Sequence, residues 1–159
     1  MAVDVALQFE LERLYSRYAS LLDDGPLRDW PDLFAQECLY LVIPRDNFDR
    51  GLPLAIIRCE SRGMLVDRVR AATETIMHEP RYLRHQITNV RVTAADGARV
   101  DAVAHFSVLE VLPDELPRIL CVGRYIDVLG RRDDGALEFV EKRCVYDSVL
   151  VPNTIVYPI

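Results

Sequence analysis

The sequence predicts an α+β fold, with amino-terminal helices covering one face of a long, mainly antiparallel sheet. Three observations predict it. Residues 4 to 24 carry apolar side chains at helical spacing, everything after Arg81 reads as long strands divided by tight turns, and half of the residues are hydrophobic.

The first helix places Leu7, Leu11, Leu14, Tyr18 and Leu21 on one face, with Asp4 as its cap. Gly25-Pro26 stops it, because glycine accepts the left-handed terminal conformation and proline cannot continue the hydrogen bonding. A second, short helix is expected next, capped by Asp29, with Pro31 in its first turn and Trp30, Leu33 and Phe34 as apolar anchors. The run from Cys38 to Pro44 predicts a strand buried on both faces. Pro44 to Pro53 reads as a loop and Leu54 to Cys59 as a short strand. Ser61 then caps a helix with Leu65, Val69, Ala72 and Ile76 on one side, which Pro80 ends.

Four strands follow, at about 83–93, 98–112, 117–130 and 136–148, separated by Asp96-Gly97, Asp114 to Pro117 and Asp133 to Gly135. They form a meander. Val100, Ala102, Ala104, Phe106 and Val108 alternate, as do Leu120, Val122, Ile126 and Val128, with Arg124 interrupting the second series. Strands of this length are expected to curve, and a curved sheet wrapped round helices is cone-shaped.

The 159 residues suit one domain over 1–159, with no internal repeat or low-complexity segment. A net charge of -6 repels a phosphate backbone, which argues against nucleic-acid binding. The acidic opening, MAVDVALQFELERLYSRYASLLDD, lacks the basic start and unbroken apolar core of a secretory signal, and no apolar run approaches the roughly 20 residues that span a bilayer. A cytoplasmic protein, with no membrane contact, is the expectation.

Metal and cofactor motifs find little support. Cys38, Cys59, Cys121 and Cys144 stand alone, without the close Cys or His neighbours that preorganise a metal site, so they read as buried free thiols. A mononuclear iron site needs two histidines and a carboxylate on one face. The three histidines, His78, His85 and His105, do not share helical spacing, and Pro80 separates the first two. The paired Cys and His ligands of a Rieske cluster are missing, as are the phosphate-binding glycine loops and the serine elbow. An acid–base alternative stays open: the pocket of a cone can bring Asp23, Asp24, Tyr15, Tyr40 or His105 near a small ligand, as in a free-standing isomerase, dehydratase or cyclase.

Several stretches carry a resemblance. LLDDGPLRDWPDLFAQECLYLV, ESRGMLVDRV and RYLRHQITNVRV resemble the small, or beta, subunits of Rieske non-heme iron ring-hydroxylating oxygenases. Pro44 to Leu54, Glu74-Thr75 with His78 to Pro80, CVYDS and the terminal VYPI are similar to the branch of that family that includes salicylate 5-hydroxylase.

The resemblance implies a cone of the NTF2-like (cystatin-like) superfamily and a non-catalytic role in aromatic catabolism. It implies a large subunit as partner, usually three copies of each with the small subunits as a trimer. That large subunit would hold a Rieske 2Fe–2S cluster and a mononuclear iron, with electrons arriving from NAD(P)H through a reductase and often a ferredoxin. No catalytic, cofactor-binding or metal-binding residue is carried over to this chain. Interface candidates are Arg45, Asp46, Asn47, Phe48 and Arg50 in one loop, and Arg81, Tyr82, Arg84 and His85 at the start of a strand. Tyr157 and Ile159 complete the set, in an apolar tail from Asn153 onward that is expected to dock on the body or across an interface.

Overall fold

A computed structural model of the chain describes residues 4–75, 80–151 and 154–159. Helix α1, Val5–Asp23, begins where the Asp4 carboxylate accepts from the Ala6 and Leu7 amides, and ends at Gly25, whose φ is +75°. Its buried face is Leu11, Tyr15, Tyr18, Leu21 and Leu22. The expected second helix is a 3₁₀ run, Leu27–Leu33, that starts at Pro26; Asp29 lies inside it and does not cap it.

Strand β1, Phe34–Pro44, starts four residues before the predicted point and is buried on both faces from Tyr40 to Ile43. The expected loop after it opens with one helical turn, α2, Arg45–Asp49. The strand predicted at Leu54 shrinks to β2, Ile57–Cys59. Helix α3, Arg62–Arg70, takes its cap from Ser61, whose Oγ accepts from Met64 N at 3.3 Å, and widens into a π turn over Ala71–Thr75. Leu65, Val69 and Ala72 face the core as predicted, while Ile76 lies outside the described residues.

Strands β3 (Tyr82–Asp96), β4 (Arg99–Val111), β5 (Arg118–Arg131) and β6 (Leu137–Tyr146) form the predicted meander. The six strands run β2-β1-β6-β5-β4-β3, antiparallel except for β1 against β6. Register shifts at Val108/Leu109 and Val128/Leu129 mark bulges, which bend long strands and raise their twist. Strand β3 is an edge, and α1 blunts it. The Gln8 carboxamide donates to Val90 O at 2.7 Å and accepts from Val92 N at 3.1 Å, standing in for a neighbouring strand.

The inward face of β4 is the predicted one, Val100 through Val108. On β5 the predicted row holds in part: Leu120 and Val128 are buried, while the positions between them are shifted by one residue. Cys121 opposes Val108 and Ile119 opposes Leu109, so Leu120 is the extra residue of a bulge, and beyond it the odd positions turn inward. Tyr125, Asp127 and Leu129 face the helices; Val122 and Ile126 are only half-buried. Apolarity misleads here because the inward row holds a glycine and a carboxylate. Gly123 is obligatory, since a Cβ would lie 2.1 Å from Val145 O and 2.8 Å from Tyr146 Cα.

Candidate functional site

The inside of the cone is packed. Tyr15, Tyr18, Trp30, Phe34, Tyr40, Tyr125, Phe139 and Lys142 are each less than 2 % exposed. Tyr18 stands edge-on to Trp30, Tyr125 and Phe139, and Tyr125 stacks on Phe106 at 4.5 Å. At the centre, Lys142 Nζ donates to Asp127 Oδ2 at 2.8 Å and lies 3.6 Å from the Tyr125 ring centroid and 4.4 Å from that of Tyr18. Tyr15 donates to the same carboxylate oxygen at 2.5 Å. Burial pushes the Asp127 carboxyl up, and the Lys142 charge pulls it back.

A transverse row across the sheet explains this placement. Tyr40 opposes Lys142, Lys142 opposes Asp127, Asp127 opposes Ala102 and Ala102 opposes Val92. The register therefore sets the two charges side by side and leaves space for them over an alanine. Sequence reasoning missed both. The available signal was a carboxylate on one strand and a lysine on the next, each flanked two positions away by inward-facing Tyr125 and Cys144. A second buried carboxylate, Glu110, was also missed; it accepts from Arg81 at 2.7 Å and from Arg118 at 3.0 Å.

Of the acid–base candidates, Tyr15, Asp23 and Asp24 line one groove between α1 and the edge of β3, and Tyr40 and His105 lie outside it. Tyr15 and Tyr40 are core residues, with Tyr40 donating to Ile159 O at 3.1 Å, and His105 is exposed beside Asn89. Asp23 and His85 do meet. Asp23 Oδ1 lies 2.6 Å from His85 Nδ1, and the carboxylate also accepts from the His85 amide. Among the described residues, no group of three or more His, Cys, Asp or Glu converges as a metal site; His78 lies outside them. The four cysteines are buried and unbridged, and burial holds the thiols of Cys121 and Cys144 up at about 12.

The interface candidates divide into two groups. Arg81 and His85 are inside, with side chains 5% and 0% exposed, and Ile159 is wholly buried, so these three hold the body together rather than line the chain's own surface. The tail docks on its own body: Ile159 O accepts from Tyr18, Tyr40 and the Cys144 thiol, while Asn153 is outside the described residues and Tyr157 is half-buried.

Tyr82 and Arg84 are exposed, the latter paired with Asp24 at 2.8 Å. The α2 segment is tied down. Arg45 bonds Asp49 and Asp147, Asn47 donates to Leu54 O, and the Arg124 guanidinium lies over Phe48 at 5.8 Å. Asp46 and Arg50 point to solvent. Exposed Val149 shares a hollow with Arg45 and Asp46, and exposed Leu52, Leu54 and Ile56 follow α2, so charged and apolar groups mix on one surface.

A six-stranded curved sheet closed by α1, with a packed interior, defines a cone of the NTF2-like class. The chain belongs to the ring hydroxylating beta subunit family, whose model matches residues 17–153. It is similar to the anthranilate 1,2-dioxygenase small subunit of Burkholderia cepacia, 30% identical over 98% of this chain and 96% of that one. A terephthalate 1,2-dioxygenase beta subunit of Comamonas is 27% identical over 96% of this chain and 98% of its own length. A solved beta subunit of an aromatic-ring-hydroxylating dioxygenase from Novosphingobium aromaticivorans superposes with a TM-score of 0.86 at 34% identity, covering 96% and 95% of the two chains.

Proposed function

We propose that this chain is the scaffolding small subunit of an aromatic-ring-hydroxylating oxygenase, acting as one domain over residues 1–159 in the cytoplasm. Its partner is a large subunit that carries a Rieske 2Fe–2S cluster and a mononuclear iron. Three copies of each assemble, with the small subunits as a trimer, and electrons reach the large subunit from NAD(P)H through a reductase and, in many such systems, a ferredoxin. Aromatic acids of the salicylate kind are the substrate class, in keeping with the anthranilate and terephthalate in the names of relatives.

The observation that carries this reading is the filled cone. The centre of the cone is taken by Tyr15, Tyr125, Phe139 and the Lys142–Asp127 pair. The surfaces that suit a partner are the α2 segment with Leu54 and Val149, and the start of β3 with Tyr82 and Arg84. Such a subunit supplies geometry. Holding two large subunits in fixed orientation keeps donor and acceptor centres at working distance, a positioning effect that needs no ligand from the scaffold.

The test is co-expression with the large-subunit gene of the same locus, with an affinity tag on the small subunit. A stoichiometric iron-containing partner is expected. Recovery of the small subunit alone, or turnover of an aromatic acid by that subunit without a partner, overturns the proposal.

A further inference from the structure

The face of the sheet turned away from α1 and α3 carries an apolar group of its own. An antiparallel sheet with one wet face is expected to set polar residues on it. Here the outward positions at its centre are Leu39 and Leu41 on β1, Ile126 and Val128 on β5, and Val103 on β4. Leu41 and Val128 are each 8% exposed, yet both stand outside the core cluster under the helices; the other three are half-buried. Helix α2 reaches this face at one end, where the Arg124 guanidinium lies over Phe48.

Charge on the same face is ordered in two rows. The strand register sets Leu39, Glu141, Val128 and Asp101 side by side across β1, β6, β5 and β4. Two residues along, Leu41, Arg143, Ile126 and Val103 form the next row, which reaches Arg91 on β3. One row is acidic and its neighbour basic. Glu141 and Arg143 are ion-paired within the chain, and their side chains are still 32% and 29% exposed.

We propose that this face binds the same face of a second copy of the chain, about a two-fold axis that runs across the strands between the two rows. That rotation sets Glu141 of one copy over Arg143 of the other and the reverse, with Val128 over Ile126 and Leu39 over Leu41. It also brings Arg91 of one copy beside Asp101 of the other, because Arg91 then covers Ala94, the strand neighbour of Asp101. A two-fold contact requires that residue i meet j and j meet i, and adjacent acidic and basic rows satisfy that requirement. A different partner needs no such symmetry in this chain, which is why the second copy is the occupant. Each copy carries -6, but repulsion beyond about 10 Å is screened at physiological salt, so the matched charges at the contact decide. Sheets packed face to face lie about 10 Å apart, a gap that aliphatic side chains from both copies fill. The contact belongs to the chain free of its large subunit and does not rest on the three-fold ring proposed for the complex.

The test is sedimentation equilibrium of the isolated full chain over a range of concentrations. The wild type should fit a monomer–dimer equilibrium, with a dimer of twice the 18.2 kDa chain mass. Glu141→Arg and Arg143→Glu each place like charges across the axis, so either variant alone should raise the dissociation constant by roughly tenfold or more. An equimolar mixture of the two variants should recover the dimer, because each supplies the charges that the other lacks. A change confined to the ion pair within one chain cannot produce that recovery. Ile126→Asp should abolish pairing. Variants that dimerise as the wild type does, or a mixture of folded variants that stays monomeric, would overturn the proposal. A wild-type chain that is monomeric or trimeric at every concentration overturns it whatever the variants do, and leaves capture of the large subunit as a separate question.

Discussion

Lys142 and Asp127 sit directly opposite each other on β6 and β5, wholly buried and 2.8 Å apart, with four aromatic rings within 4.7 Å of the ammonium. The pair is the centre of the packed cone, and its energetics differ from those of the surface pairs around it. Removing one partner strands a charge, whereas removing both does not.

Lys142→Met should therefore cost about 3–5 kcal/mol. The double change Lys142→Met with Asp127→Leu should recover most of that loss. Urea unfolding midpoints of the two proteins, compared at equal slope, check the order.

Stability should fall in alkali. Cys121 and Cys144 titrate from an ordinary 9.0 up to about 12 when folded, and burial also raises Tyr15, Tyr18, Tyr40 and Tyr125 well above their ordinary value. Between those two pH values the unfolded chain releases protons that the folded chain keeps. Each thiol thus removes about 1.4 kcal/mol per pH unit as pH rises through that interval. Cys144→Ala should flatten the profile, as read from thermal midpoints measured across it.

Two glycines of β5 should respond differently to alanine. At Gly123 the new Cβ meets backbone, at 2.1 Å and 2.8 Å, so the strands must part at a cost of about 3 kcal/mol. At Gly130 it meets only the Val140 side chain, at 3.1 Å, which can give way. Calorimetry of Gly123→Ala and Gly130→Ala should rank the first well below the second.

Deleting Pro158 and Ile159 should destabilise the body rather than merely free a tail. The hydroxyls of Tyr18 and Tyr40 and the Cys144 thiol would lose their shared acceptor, and each stranded buried donor costs about 1–3 kcal/mol. Differential scanning calorimetry of the shortened chain measures it.

Tyr82→Ala and Val149→Asp change side chains that are 73% and 92% exposed. Neither should change the stability of the isolated chain, read from thermal unfolding, by more than about 0.5 kcal/mol. Both should lower the yield of large subunit captured on a tagged small subunit.

Much of the fold is legible in one dimension because its causes are local. Asp4 and Ser61 cap helices through their own neighbours, Gly25 ends α1 through its own φ, and the turns at Gly97 and Gly135 need positive φ whatever surrounds them. Family membership was legible for a related reason: the stretches that carry it lie in those same helices, turns and strand starts. Burial of charge was not. Whether Asp127 faces the core depends on a bulge at Leu120, and whether it meets Lys142 depends on the β5–β6 register, both of which pair residues far apart in the chain. Likewise nothing near Ile159 foretells that Tyr18, Tyr40 and Cys144 converge on its carbonyl, or near His85 that Asp23 holds its ring. Local conformation answers to short-range sterics and hydrogen bonds, while the filling of the cone is settled by long-range packing, which one chain position cannot encode alone.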